Sequence, residues 1–360
     1  MRALVVVAVV VAAGAAGGGC ARPHLGAAAA RAAADSGVPE RIVLAMAYAE
    51  SRGQAIVTED GARQWVRLVP WRGGRNLAAA AAALGVSEAR VRRDPELALR
   101  GAATLLARTM GAPSPSAAAA SSSSAASSSS SSLQAWRAAL ERFNGGRDPL
   151  GDALYADEVL GFAAGGFGGT ADDGRAFGLP AAGAPPPSPP QAAWPPRPPS
   201  LAGAAFARFV PASAAASRPR TEPIRYIVLH TTENMFPVTV EYFRRPTTAV
   251  AAHYLVRASD GLVVQLVDER RAAFHDACFN DGSIGIEHEG YVVAGRRWYS
   301  DAMYRASARL VRDVAARNGI PLDRRHILGH GETPDCSDHV DPGPDWDWDR
   351  FMRLVTSAGG

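Results

Sequence analysis

Gly329-His330-Gly331-Glu332-Thr333-Pro334-Asp335-Cys336-Ser337-Asp338-His339-Val340-Asp341-Pro342-Gly343-Pro344 gathers two histidines, three aspartates, a cysteine and three prolines into one loop. Imidazole and carboxylate groups at this density, in a segment stiffened by proline, suit a divalent metal better than a hydrophobic core. One loop cannot complete such a site. Upstream, Ile224-Arg225-Tyr226-Ile227-Val228-Leu229-His230-Thr231-Thr232 is an apolar strand ending in histidine, whose side chain can project into a cleft above a sheet. A catalytic zinc keeps three protein ligands and leaves a fourth position for water. His230, His330 and Asp341 are the candidate ligands, with Cys336 a rival for the third place and His339 a rival for either histidine. The C-terminal region is therefore expected to hold a zinc-dependent hydrolase.

Around these two segments, from Pro223 onward, the pattern is mixed α/β. Strands are expected over 224–229, 252–257, 262–267 and 284–289, with Ser259-Asp260-Gly261 as a hairpin turn between the second and third. Helices fit 238–244, 301–318 and 346–355, the second stopping at Asn318-Gly319 with Pro321 beyond. Residues 163–222 are rich in glycine and then in proline, which predicts an extended, semi-rigid spacer between domains. Before it, apolar periodicity predicts helices from Val38-Pro39-Glu40 through Ser51 and over 76–84, 95–110, 133–142 and 152–160. The expected organisation is multidomain α+β: an all-α domain over 36–162 and a mixed α/β domain over 223–356 with a central sheet flanked by helices. Residues 117–132 are alanine and serine only, which predicts a disordered insertion in the helical domain. The alanine-rich stretch 21–35 is expected to be a short tether.

The 360 residues suffice for two domains. A net charge of +3, with the signs mixed and no basic block interleaved with aromatics, argues against nucleic acid as a partner. The first twenty residues have the pattern of an export signal: Met1-Arg2, an apolar run over 3–16 too short for a comfortable membrane span, then Gly17-Gly18-Gly19-Cys20. Small residues leading into a single cysteine resemble a bacterial lipoprotein signal, in which Cys20 becomes the acylated first residue; the alternative is an ordinary cleaved signal. The expected location is the periplasm or cell envelope. Several acyl chains, at roughly 0.8 kcal/mol per buried methylene, would anchor the chain to a membrane. Three cysteines are too few for a disulfide framework; Cys278 and Cys336 either pair in an oxidising compartment or stay free thiols.

Taken together, His230 in Ile-Val-Leu-His-Thr-Thr, Ser283-Ile284-Gly285-Ile286-Glu287-His288-Glu289-Gly290, and Gly329-His330 leading to His339-Val340-Asp341-Pro342-Gly343-Pro344 resemble the type 2 N-acetylmuramoyl-L-alanine amidases. That family shares its fold with the peptidoglycan recognition proteins and the phage lysozyme-type amidases. The resemblance implies His230, His330 and Asp341 as zinc ligands, Asp341 standing directly before the Pro-Gly where members carry cysteine or aspartate, which leaves Cys336 out. It implies Glu287 as the residue that handles protons, and His339, where many members have lysine, as a partner of the oxyanion. His275 in Ala273-Phe274-His275-Asp276 matches a family histidine near the substrate groove. The implied substrate is peptidoglycan, cut at the amide between the lactyl group of N-acetylmuramic acid and the L-alanine of the stem; separately, a monomer is expected. A muropeptide-recognition module that does not cut is the alternative. Glu289 shares a strand face with Glu287 and is a possible helper; His288 faces the other way. His253 is expected to be a packing residue.

In the helical domain, Ala45-Met46-Ala47-Tyr48-Ala49-Glu50-Ser51-Arg52 resembles the Glu-Ser motif of goose-lysozyme-like lytic transglycosylases, in which one glutamate serves as acid and base on the glycosidic bond. Asp94-Pro95, Leu99-Arg100-Gly101, Phe143-Asn144-Gly145-Gly146 and Tyr155 before Val159 follow in family order. Arg63-Gln64-Trp65-Val66-Arg67-Leu68 stands where the family has a Gly-Leu-Met-Gln-type strand. The resemblance implies a degenerate lysozyme-like fold that holds glycan, with Glu50 the glycosidase acid if the protein is bifunctional.

Overall fold

The computed structural model describes residues 24–57, 63–68, 75–110, 133–145, 148–183, 194–333 and 338–357. The expected signal segment 1–20, the Ala/Ser run 117–132 and Cys336 lie outside them. The chain divides into two compact units, Met1–Pro189 and Pro190–Gly360.

The first unit contains helices Leu25–Ser36, Glu40–Ser51, Arg75–Leu84, Glu88–Arg93, Pro95–Thr109, Arg137–Asn144 and Pro149–Gly165. It also has two antiparallel hairpins, β1 (Ile56–Val57) with β2 (Arg63–Gln64) and β3 (Phe167–Thr170) with β4 (Ala176–Leu179). Asp94 starts the longest early helix by accepting from the backbone N–H groups of Glu96 and Leu97, with Pro95 at a position whose missing N–H costs nothing. The expected tether is instead a helix: Leu25, Ala28, Ala29 and Ala32 recur at helical spacing, are fully buried, and pack on the Pro95–Thr109 helix. Alanine is the best helix former, and its small side chain lets two helices approach closely, so alanine richness here signals packing rather than slack.

The expected spacer also differs from its description as a linker. Phe167 of β3 stacks on Tyr48 with ring centroids 4.0 Å apart, so the first part of 163–222 closes over the first unit. The last part belongs to the second unit, where β5 (Arg208–Phe209) and β6 (Ser217–Pro219) pair with later strands and Ala204, Val210 and Ala216 are fully buried. Glycine and proline mark irregular backbone; they do not prevent the alanines and valine between them from being buried.

The second unit is built on a six-stranded mixed sheet in the order β12-β7-β11-β8-β9-β5, where β7 is Tyr226–Thr231, β8 Tyr254–Val256, β9 Val263–Gln265, β11 Ser283–His288 and β12 Ile327–Gly329. β12, β7, β11 and β8 run parallel, β8 and β9 form the antiparallel hairpin across Ser259-Asp260-Gly261, and β5 lies parallel to β9. β10 (Arg271–Ala273) pairs with β6 outside the main sheet. Gly261 turns the hairpin at φ 74°, a conformation glycine adopts without penalty. The central strands are apolar along nearly their whole length, as strands covered on both faces require: Ile227, Val228, Leu229, Ile284 and Ile286 are all fully buried. Helices Phe236–Arg244, Asp301–Asn318 and Trp348–Thr356 accompany the sheet. Ser300 caps the middle one by accepting from Met303 N–H, and Gly319 ends it in the left-handed conformation.

Candidate metal centre

Parallel pairing with no stagger sets the site. Glu287 of β11 lies opposite His230 of β7, and Gly329 of β12 lies opposite Leu229, so His330 follows directly at the level of His230. Three adjacent strands thus end in a row with a glutamate and two histidines, at the carboxyl edge where open α/β sheets gather ligands. The loop after β12 then folds back to deliver Asp341. Gly329 and Gly331, on either side of His330, allow the close approach: a Cβ on Gly329 would lie 2.8 Å from the Pro342 ring, and one on Gly331 2.8 Å from the His339 carbonyl. Gly331 N–H donates to the Asp341 carbonyl at 3.1 Å and Thr231 N–H donates to Asp341 Oδ2 at 3.1 Å. Tyr299 ties the loop to β7, donating to the Pro342 carbonyl at 2.7 Å while its oxygen lies 2.8 Å from Thr231 Oγ1.

The result is a tight cluster. One donor atom from each of His230, His330 and Asp341 lies within 4.8 Å of the other two, and all three residues are buried. Asp341 Oδ2 is 3.5 Å from His230 Nδ1 and Oδ1 is 3.2 Å from His330 Nδ1. His339 stacks on the His330 ring at 4.1 Å between centroids, with its Nδ1 3.5 Å from Asp341 Oδ1. Burial opposes ionisation of Asp341, but the close approach of the His230, His330 and His339 rings outweighs it and holds the carboxyl well below the usual range. Burial keeps His230 below the ordinary imidazole value. For His330 burial acts the same way but is overcome by hydrogen bonds to Asp276 and Asp341, which raise it to about 9. Burial, then repulsion from Asp341, pushes Glu287 up to about 8, and its Oε2 is sealed from solvent with no hydrogen-bond partner among the described residues.

This donor set fits a zinc ion: two imidazoles and one ionised carboxylate, converging and buried, with nothing softer or harder required. A carboxylate placed among three histidines is also what compensates the charge of an ion in a site with little water.

The other expected residues fall as follows. His275, expected beside the substrate groove, turns its Nδ1 to His230 Nε2 at 2.9 Å. Glu289 is no helper of Glu287: it is fully buried, accepting from Phe236 N–H and Ala258 N–H, and so secures the start of the Phe236–Arg244 helix. His288 is a core residue, bonded to the His230 carbonyl and Ser307 Oγ. His253 accepts from Gly285 N–H at Nδ1 and meets the Arg271 carbonyl with Nε2; burial, foremost, drops it to about 3. Cys278 is disulfide-bonded; the other two cysteines lie outside the described residues. In the first unit Glu50 is buried, accepting from Tyr155 OH and from Arg67 N–H, both at 2.8 Å. Sequence reading did not find Asp276, Thr231, Tyr299 or Thr333 at the site. Asp276 had a signal in its place next to His275, Thr231 in its place after His230 and Thr333 in its place in the His330 loop; Tyr299 had none.

Residues 220–344 match the N-acetylmuramoyl-L-alanine amidase family (Amidase_2). N-acetylmuramoyl-L-alanine amidase A of Achromobacter lyticus is 33% identical over 150 residues, covering 37% of this chain and 84% of that protein. The 1,6-anhydro-N-acetylmuramyl-L-alanine amidase AmpD of Enterobacter cloacae is 30% identical over 179 residues, covering 42% of this chain and 91% of its own length. The enzyme of the same name from Salmonella typhimurium (strain LT2) is 39% identical over 116 residues, 29% of this chain and 57% of its own length.

Proposed function

The chain belongs to the N-acetylmuramoyl-L-alanine amidases, and we propose that it hydrolyses the lactyl–L-alanine amide of peptidoglycan with a zinc ion held by His230, His330 and Asp341. The observation that carries this reading is the convergence of the three donor groups within 4.8 Å, in register with Glu287 at the ends of adjacent parallel strands. Zinc, when bound, polarises the amide carbonyl and makes hydroxide available near neutral pH. Glu287 is the proton carrier: burial and Asp341 raise its carboxyl to about 8, and in its ionised form, which a nearby dication favours, it takes the proton of the attacking water and returns it to the departing amine. His339, stacked on His330, offers an N–H to the oxygen that becomes negative at the tetrahedral stage.

The first unit reads as a degenerate lysozyme-like module that holds the glycan strand, with Glu50 at the end of its helix as the one candidate for glycan cleavage. Residues 1–20 read as a lipoprotein signal, with Cys20 acylated and the protein a monomer at the cell envelope.

The test is amide cleavage of purified peptidoglycan by the full chain, with and without chelator, beside Asp341→Ala. Zinc-dependent release of free stem peptides, lost in the variant, supports the reading. Binding to peptidoglycan without release would favour the recognition module. Release of 1,6-anhydro sugars, lost in Glu50→Gln, would establish the second activity. Palmitate labelling that survives Cys20→Ala would refute the anchor.

A further inference from the structure

Each of the two histidines at the metal centre has a second ring nitrogen, and both are met by one dipeptide. His275 faces His230 Nε2 at 2.9 Å, and Asp276 Oδ1 lies 3.4 Å from His330 Nε2. Resting on the zinc reading above, we propose that His275 and Asp276 are a pair of positioning residues that set the tautomer of His230 and of His330, so that both present a bare Nδ1 to the ion.

The hydrogen-bond chain fixes the direction. Ser283 Oγ donates its only proton to the Phe279 carbonyl at 2.6 Å. Toward His275 Nε2, 3.2 Å away, it can therefore only accept, which puts the His275 proton on Nε2 and leaves Nδ1 bare. Nδ1 in turn accepts from His230 Nε2–H, so the lone pair of His230 sits on Nδ1, the atom that faces Asp341. For His330 the logic is shorter. Asp276 Oδ1 accepts from Nε2–H, so the proton that His330 gives up on binding an ion is the one on Nδ1, and the lone pair is again there.

The dipeptide is itself built to stay in place. Asn280 Oδ1 accepts from the backbone N–H groups of both His275 and Asp276 at 2.8 Å. Asp276 itself is 2% exposed. Gly285 gives the His275 ring its room, since a Cβ there would stand 2.5 Å from the ring. Partners of this kind fix ring orientation at metal centres, and losing one costs about 10–100-fold in metal affinity.

The experiment measures zinc affinity of the full chain by competition with a fluorescent chelator, together with the visible spectrum of the cobalt-substituted protein and the melting temperature of the metal-free protein. His275→Ala and Asp276→Ala should each weaken zinc about 10–100-fold and alter the cobalt bands while the metal-free melting temperature stays near the parent's. His275→Gln, which keeps an acceptor for His230 and a donor for Ser283, and Asp276→Asn, which keeps an acceptor for His330, should restore most of the affinity. Gly285→Ala should reproduce the His275→Ala spectrum by displacing the ring. Parent affinity and an unchanged cobalt spectrum in the alanine variants would overturn the inference, as would losses that track melting temperature and are not restored by glutamine or asparagine. A parent chain that bound no zinc would sink the zinc reading and this inference with it, whereas variants that match a zinc-binding parent sink the inference alone.

Discussion

Zinc binding to this protein should release protons, and four ionisation states set how many. Without metal, His330 holds its proton up to about pH 9, because hydrogen bonds to Asp276 and Asp341 overcome the burial that opposes the charge. Glu287 holds its proton up to about pH 8, through burial and the repulsion of Asp341. Burial holds His230 below the ordinary imidazole value and its histidine neighbours hold Asp341 well below the usual carboxylate range, so these two are the lesser proton sources at pH 6. At that pH the His330 proton must leave before Nδ1 can take an ion. A dication nearby also favours the ionised form of Glu287. Water on the ion, with a pKa of about 7, adds roughly a tenth of a proton. The release at pH 6 is therefore between one and two protons, and Glu287→Gln should reduce it to about one. Since only the deprotonated fraction of His330 can bind, apparent affinity in that variant should rise about tenfold per pH unit near pH 6 and more steeply above pH 7, where the bound water ionises as well. Calorimetric titration of zinc into the full chain, in buffers of different ionisation enthalpy, reads both quantities. A release near zero at pH 6 in Glu287→Gln, with a flat affinity profile, would refute the reasoning, because His330 would then be unprotonated or not a ligand.

Stability of the metal-free protein should fall as pH rises from about 6.5 to 9. The raised His330 value contributes stability that is complete below 6.5 and lost through 9, and Glu287, raised from 4.5 to about 8, adds a penalty that grows between those two values and persists above them; thermal melts of the apo chain check this. Glu287→Gln should lower amide turnover by about 10²–10⁴, and His339→Ala by about 10²–10³, with zinc stoichiometry unchanged in both; an active Glu287→Gln would remove that residue from proton transfer. A fragment starting at residue 221 should be much less stable than one starting at 194, because it lacks β5 and β6 and the buried Ala204, Val210 and Ala216, of which Val210 alone contributes about 1.5–3 kcal/mol; equal melting temperatures would contradict the integrated sheet. Tyr155→Phe should destabilise the first unit by about 1.5–3 kcal/mol, since it takes one hydrogen-bond donor from the buried Glu50 carboxylate; denaturant unfolding measures the change.

How much of this could be read from the residues depends on how local each signal is. The strand before His230, the hairpin at Gly261 and the stop at Gly319 were legible because alternation, turn chemistry and caps act over a few residues. The alanine helix at Leu25–Ser36 was misjudged as a tether, because composition does not tell alanines facing solvent from alanines facing a neighbouring helix. The region around β5 and β6 was misjudged as a spacer for a related reason: two- and three-residue strands have no period of their own and exist only because β9 and β10 are there to pair with.

Sequence alone determined which groups could do the chemistry: two histidines, an aspartate and a glutamate whose side chains favour zinc and proton transfer wherever they meet. It also determined that the metal loop could turn back on itself, since Gly329 and Gly331 leave room where any side chain would collide. Only the tertiary structure decided which atoms converge at the site. The parallel register of β12, β7 and β11 aligns residues about 45 to 100 positions apart, and a slip of one residue would point Glu287 to the opposite face. The choice of Nδ1 over Nε2 on each histidine lies further still from the sequence. His275 and Asp276, to which we assign it, reach the second nitrogen only once the sheet has brought them there.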